Sequence, residues 1–220
     1  MTTLVYALLT LACLGLSAWL WPRREGLHVA ARGAVVASLV GLLLTAVSAG
    51  MIVFHQLGWS NDAAAHGQRI LGLAAQHMAL PLVGLATLFL ARGLTWGPSL
   101  WSKVILGIMG FYELSRHMGL QLEYLWLVNL VGALALLASA VLYLPRDRRL
   151  VALAALAPAF LLAPALFAGR APLDALFIAN DHASWLIPGL VGAGLAVGLL
   201  TEQAHNALDA REPQEPEESP

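Results

Sequence analysis

Long apolar stretches, each about the length of a membrane-spanning helix, alternate with short polar connections along this chain. A helix needs roughly 20 apolar residues to cross a bilayer. Seven stretches reach or approach that length, at about residues 3–21, 30–55, 68–91, 100–118, 123–144, 150–168 and 177–200. The third and fifth connections are short, which favours antiparallel packing of successive helices. The pattern therefore predicts an all-α, polytopic membrane protein built as a bundle of seven transmembrane helices.

The composition supports this interpretation. Hydrophobic residues make up 59% of the chain and charged residues only 11%, a balance far more apolar than that of a soluble domain. The net charge is −1, so no basic surface for nucleic acid is indicated. We expect a transmembrane domain over residues 1–201 and an acidic, proline-rich, disordered tail over residues 202–220.

Basic residues favour one orientation of these spans. Arginine and lysine concentrate in the first, third and fifth connections, namely Arg23, Arg24, Arg92, Lys103, Arg146, Arg148 and Arg149. Because cytoplasmic connections carry the excess of positive charge, the N-terminus is expected outside and the acidic tail in the cytoplasm. The compact chain is typical of a multi-pass protein of the bacterial inner membrane.

Histidines segregate to the predicted outer side. Five of the seven fall there, namely His55, His66, His77, His117 and His182. His77 lies about 16 Å below His66 at 1.5 Å per residue, near the bilayer centre. Ionisable side chains near hydrocarbon are costly and usually belong to a site, so a functional site is predicted in the outer half.

Other polar residues join this outer cluster. Ser48 lies two turns below His55, and Ser184 lies beside His182. Glu113 shares a face of helix four with His117, beside Arg116, and for these three a structural ion pair between helices is favoured over catalysis. For His66 and His117, which lie at span ends, an ordinary interfacial role stays open beside a role in the site.

The residue types in the cluster suit a zinc ion. Neutral imidazoles and carboxylates are zinc ligands, and a catalytic site uses three of them with one open water position. Zinc lowers the pKa of that water to about 7, which supplies hydroxide for attack on an ester or amide. Asp62 or Asp181 would act as general base or orient a ligand histidine.

Two short stretches resemble the CREST superfamily of seven-helix membrane hydrolases, which includes the alkaline ceramidases and the progestin and adiponectin receptors. Gly-Met-Ile-Val-Phe-His, ending at His55, resembles the Phe-His pair that closes helix two in ceramidases. His-Ala-Ser-Trp-Leu-Ile-Pro-Gly, beginning at His182, is similar to their His-Ala-x-Trp-His-Ile stretch in helix seven. The resemblance implies seven helices, an outer N-terminus and zinc bound by histidines.

Carried over by position, His55 and His182 match two zinc ligands of that family. Leu186 replaces the second histidine of helix seven, Met51 replaces the serine, and His66 replaces the aspartate. The resemblance therefore implies a repaired site in which His66 supplies the third imidazole. The acidic calcium-binding stretch of ceramidases has no counterpart, so ceramide is not indicated as the substrate.

Two functions remain open on the sequence alone. The first is a zinc-dependent lipid amidase or esterase acting at the outer leaflet. The alternative is a non-catalytic protein, such as a sensor, an assembly factor or a degenerate hydrolase relative, that binds a metal ion or a lipid through the same cluster. Membrane lipid is the expected partner. The only lysine, Lys103, is not in the last helix, which excludes a retinal Schiff base there. The lack of an internal repeat argues against a transporter. Haem held between two histidines stays open.

Overall fold

The computed structural model describes residues 2–59, 61–94, 96 and 98–209, except the side chains of residues 30, 98 and 206–209. These residues form helices α1 (Thr2–Arg23), α2 (Val29–Gln56), α3 (Asp62–Arg92), α4 (Pro98–His117), α5 (Gln121–Tyr143), α6 (Arg148–Ala168) and α7 (Ala183–Asp209), with a 3₁₀ turn at Asp174–Leu176. The described residues contain no strand, which confirms the all-α prediction. Every helix except α4 is long and apolar enough to span a membrane.

Helix α3 is the central element of the bundle. It packs against α2, α4, α5 and α7, while the other helices contact one another around it. In its apolar stretch 78% of the residues are buried, compared with 28% in α1. Any polar side chain in the middle of α3 is therefore enclosed by protein rather than by lipid.

Two glycines bring α3 and α5 into backbone contact. A Cβ atom on Gly132 would lie 2.7 Å from the backbone of Leu80 and Pro81 in α3. A Cβ atom on Gly84 would overlap the carbonyl oxygen of Gly132. Small residues permit such close approach in membrane bundles, where packing rather than the hydrophobic effect drives helix association. The position of α5 against α3 therefore depends on these two glycines.

Helix α4 is the least apolar of the described helices, yet it runs antiparallel to α3 along the second half of that helix. Near its start, the Trp101 ring lies 5.3 Å from that of Phe89, close to the end of α3. Near its end, the Tyr112 ring lies 4.3 Å from that of His77, at the middle of α3. Leu106 is 70% exposed, so the outer side of α4 faces away from the bundle.

The helix ends form two distinct faces. We call the face at the end of α2 and the start of α3 the histidine end, and the opposite face the arginine end. His55, His66, His117 and His182 lie at or beside helix ends of the histidine end. The arginine end carries most of the described cations, namely Arg23, Arg24, Arg32, Arg92, Lys103, Arg146, Arg148 and Arg149.

Helix α7 starts later than predicted. The apolar stretch from residue 177 is irregular up to His182, and the helix begins at Ala183. The cause is local: the side-chain oxygen of Asn180 accepts a hydrogen bond from the backbone N–H of His182 at 3.0 Å. Such a contact competes with helical hydrogen bonding. The predicted start of the seventh helix near residue 177 is therefore wrong, and His182 lies just before the helix.

Helix α7 also ends later than predicted. Residues 202–209, which the sequence places in a disordered tail, continue the helix as far as Asp209. Gln203 donates a hydrogen bond to Asp147, and His205 lies 3.0 Å from the carbonyl oxygen of Arg23. These contacts anchor the last turns to the arginine end. The rest of the predicted tail, residues 210–220, lies outside the described residues.

Candidate functional site

The connection between α6 and α7 folds back into the histidine end instead of looping outward. We call residues 169–182 the plug. Pro172, Leu173, Ala175 and Leu176 in it are buried. Buried backbone groups need hydrogen-bond partners, and in a membrane protein water does not reach all of them. The bundle must therefore supply donors to the plug.

Side chains from three helices supply these donors. Each donates to one carbonyl oxygen of the plug: Tyr6 to Ala175 at 2.7 Å, Ser48 to Leu176 at 2.6 Å, Gln68 to Phe177 at 3.0 Å and Gln76 to Pro172 at 2.9 Å. The plug is thus fixed to α1, α2 and α3. Ser48, a candidate site residue from the sequence, has a structural role in this arrangement.

Beneath the plug lies a cavity of about 360 Å³, which we call the His77 cavity. Its walls come from α3, α4 and α5, and its roof comes from the plug. Its polar lining consists of Gln76, His77, Tyr112, Gln121, Arg170 and Asp174. Its apolar lining consists of Leu73, Leu122, Leu125, Ala171, Phe177 and Ile178. The site is therefore polar on one part of its surface and apolar on the rest.

His77 is the most unusual residue of this cavity. The residue is only 3% exposed, and its ring packs against Tyr112. Its Nδ1 atom lies 2.8 Å from the carbonyl oxygen of Leu73. A carbonyl oxygen only accepts, so Nδ1 carries the proton and Nε2 of the neutral ring is an acceptor. Nε2 has no hydrogen-bond partner among the described residues.

Two buried amides, Gln76 of α3 and Asn129 of α5, extend the group of polar side chains around His77 from α3 to α5. The side chain of Asn129 donates to the carbonyl oxygens of Gln76, at 3.2 Å, and Leu125, at 2.9 Å. Both partners are acceptors, so the amide nitrogen must face them. The Gln76 side chain in turn reaches the plug. Polar residues in the middle of a span are themselves a signal of a site, and that signal could have added Gln76 and Asn129 to the sequence prediction.

The mouth of the cavity lies between the start of α5 and the plug. Leu122 is 52% exposed and Ile178 is 61% exposed there. Arg170 and Asp174 form an ion pair of 3.3 Å at the rim, within the plug. An exposed pair of this kind contributes little to stability, but it places two opposite charges beside an apolar opening.

The three predicted zinc ligands occupy different surroundings. His55 is exposed and lines a cleft of about 300 Å³ with Gln68 and Arg69. His66 is exposed on α3, and His182 is partly buried before α7. Among the described residues, no three side chains of His, Cys, Asp or Glu are grouped so as to hold a metal. The structure thus does not bring His55, His66 and His182 together as a ligand set.

The remaining predicted site residues also lie outside the His77 cavity. Asp62 is the exposed first residue of α3, and Asp181 is exposed in the turn before α7. The hydroxyl of Ser184 donates to the carbonyl oxygen of Asp181 at 3.3 Å. Neither aspartate is positioned beside the unpartnered nitrogen of His77.

Glu113, Arg116 and His117 form an exposed group at the end of α4. Arg116 and Glu113 make an ion pair, and His117 lies 3.6 Å from the same carboxylate. All three residues belong to one helix, so the pair lies within α4 and not between helices. The neighbouring Tyr112, which the sequence prediction missed, is the residue of this segment that lines the His77 cavity.

Comparison with protein-family models, curated proteins and solved structures gave no match. The relation to the CREST hydrolases therefore stays a prediction carried by its two short motifs.

Proposed function

We propose that this protein binds a membrane-soluble amphiphile in the His77 cavity. In this proposal a hydroxyl or amine group of the ligand donates a hydrogen bond to Nε2 of His77. The observation that carries the proposal is the buried imidazole whose Nδ1 proton is held by Leu73 and whose Nε2 lacks a partner.

The energetic argument concerns this unpaired nitrogen. Leaving a buried acceptor unsatisfied costs about 1–3 kcal/mol. A leucine or phenylalanine at position 77 would avoid that cost. Polar side chains at this depth are usually retained for binding or transport. A ligand donor at Nε2 would offset the cost and explain why an imidazole occupies the central helix.

The shape of the cavity supports an amphiphile over a fully polar solute. Its volume of about 360 Å³ falls in the usual range of small-molecule sites. The polar groups of Gln76 and His77 lie toward the bundle centre, whereas Leu122 and Ile178 border the exposed mouth. A polar head would bind beneath the plug and an apolar tail would extend past the mouth. Long-chain alcohols, monoacylglycerols and quinols have this chemistry.

The amphiphile proposal corresponds to the non-catalytic one of the two functions left open by the sequence. It is carried by an unpaired hydrogen-bond acceptor beside an amphipathic cavity. A sensor or carrier for an amphiphile is the corresponding class of protein.

The test is to extract the detergent-purified protein with organic solvent and identify the bound molecules by mass spectrometry. We expect one amphiphile with a hydroxyl or amine head, enriched to near one per chain over a total lipid extract of the same membranes. Recovery of membrane lipids only in their bulk proportions would contradict the proposal.

We further propose seven spans with the N-terminus and the histidine end outside the bacterial inner membrane. The cations at the arginine end support this orientation. Cys13 is buried, and replacing it with alanine leaves a background for single cysteines. An impermeant maleimide added to intact spheroplasts should label Asp181→Cys and spare Arg149→Cys until the membrane is opened. The reverse pattern would invert the topology.

The zinc site implied by the CREST resemblance stays a prediction with its own test. If it is correct, the purified protein carries about one zinc ion per chain, and both His55→Ala and His182→Ala lose it. Elemental analysis by mass spectrometry measures this content. Equal trace zinc in all three proteins would contradict the metal site and leave the amphiphile proposal unaffected.

A further inference from the structure

A second cavity lies at the arginine end, between the start of α2 and the start of α4. Its volume is about 370 Å³, and we call it the α2–α4 groove. From its lining we infer that the α2–α4 groove binds an anionic phospholipid, with the headgroup phosphate at Arg32 and Trp101. This site is separate from the His77 cavity and does not depend on the function proposed there.

Trp101 supplies the first element of the site. The residue is only 4% exposed and lines the groove. Its Nε1 atom has no hydrogen-bond partner among the described residues. Phe89 and Trp96 hold the indole ring, at ring distances of 5.3 Å and 6.0 Å. A fixed, buried N–H donor therefore lines the groove, and leaving it unpaired is costly.

Gly33 allows the backbone of α2 to approach this edge of the indole closely. A Cβ atom at Gly33 would lie 3.0 Å from Cδ1 and 3.3 Å from Nε1 of Trp101. Because residue 33 has no side chain, α2 approaches the indole with its backbone only. A side chain at position 33 would therefore press against the N–H edge of the indole.

Arg32 supplies the second element, a positive charge beside the buried donor. It is exposed in the first turn of α2 and lines the same groove. None of the described lining residues is acidic, so no carboxylate competes for the guanidinium. Arginine and a neutral N–H donor are suited to phosphate oxygens. Basic pockets between helices on the cytoplasmic side are the usual sites of anionic headgroups.

The rest of the groove distinguishes a lipid from free phosphate. Arg32, Val36 and Val40 recur every four residues and so form one stripe of α2, about 12 Å long. Ile105 lines the groove from α4, and Ala37 contributes a small side chain to its floor. The groove therefore continues from the charged position into an apolar track. Free phosphate would not contact such an apolar track, whereas an acyl chain fits it.

The test is native mass spectrometry of the full-length protein in detergent, titrated with phosphatidylglycerol or phosphatidylcholine. We expect phosphatidylglycerol to bind in preference. Trp101→Phe keeps the ring but removes the N–H, and it should weaken that binding about tenfold, as expected for a hydrogen bond to a charged group. Arg32→Gln should weaken it about fivefold. Arg149→Gln, an exposed cation at the same end but outside the groove, is the matched control and should bind like the wild type.

Three results would overturn the inference. They are equal binding of phosphatidylcholine, unchanged binding by both Trp101→Phe and Arg32→Gln, and full displacement of phosphatidylglycerol by millimolar inorganic phosphate. The last result would assign the site to free phosphate. Thermal unfolding of each variant checks that the fold is retained. Because Arg32 is exposed, its variant keeps the test valid even if Trp101→Phe unfolds.

Discussion

Replacing His77 with phenylalanine is expected to remove most of the bound amphiphile while leaving the bundle as stable as the wild type. Phenylalanine keeps a planar ring against Tyr112 but lacks the acceptor nitrogen. The ligand's donor would then be buried without a partner, at a cost of about 1–3 kcal/mol, which lowers affinity roughly five- to a hundredfold. The measurement is ligand per chain in solvent extracts of protein purified under identical conditions.

The stability of this variant separates a binding role from a structural one. His77→Phe removes an unpaired polar atom from the protein interior, so we expect the melting temperature to stay within about 3 °C of the wild type or to rise. Had His77 served only to hold the fold, the melting temperature would fall and the ligand content per folded chain would not change. That outcome would argue against the proposed site.

Two further variants serve as controls for this experiment. His66→Phe removes an exposed histidine from the same helix and should leave the ligand content unchanged. His77→Gln restores an acceptor oxygen near the lost nitrogen and should recover part of the binding. Equal ligand content in His77→Phe and the wild type would contradict the assignment of Nε2 as the acceptor.

Replacing Gly84 with alanine adds one methyl group, and we expect this methyl group to destabilise the protein more than any other discussed here. The new Cβ atom would overlap the carbonyl oxygen of Gly132, and backbone on both sides leaves nothing flexible to move. Helices α3 and α5 must separate, with an overpacking cost of about 3 kcal/mol. The melting temperature in detergent should fall by about 6–12 °C.

Gly107→Ala in α4 is the matched control for this substitution. No atom lies within 4 Å of the position its Cβ would take. Alanine is preferred over glycine inside a helix by about 1 kcal/mol, so the melting temperature should stay constant or rise slightly. Equal melting temperatures for Gly84→Ala and Gly107→Ala would show that α3 and α5 do not pack through these glycines.

The separation of α3 and α5 in Gly84→Ala should also disturb the His77 cavity. The amide of Asn129 in α5 donates a hydrogen bond to the carbonyl oxygen of Gln76 in α3, and Leu125 of α5 lines the cavity. Moving α5 outward would break this connection and open one wall of the cavity. We therefore expect Gly84→Ala to lose ligand as well as stability, unlike His77→Phe, which should lose ligand alone.

The candidate site shows where sequence reasoning succeeded and where it stopped. The clustering of histidines predicted a functional site in the outer half, which stays a prediction, whereas the pattern of the third apolar stretch placed His77 inside its helix, where α3 has it. Its partners were not predictable in the same way. Tyr112, Gln121 and Arg170, which line the same cavity, come from three other segments, and which side chains face His77 depends on how the helices are rotated against one another.

The plug is the clearest case of a feature that periodicity cannot predict. The apolar residues Phe177 and Ile178 made the end of the plug look like the start of a span, because burial in protein and burial in lipid favour the same residue types. The conformation of the plug depends instead on donors as distant in sequence as Tyr6 and Ser48. Asn180 then delays the start of α7.

The sequence by itself determined the all-α class, the existence of long apolar helices and their charged ends, because these follow from composition and from contacts between near neighbours in the chain. The tertiary structure decided which helix is central, that the α6–α7 connection folds inward, and that His77 rather than His55 or His182 has an unpartnered nitrogen in a cavity. These features depend on close approach of distant segments, through glycines and single hydrogen bonds, and no local pattern encodes such pairing.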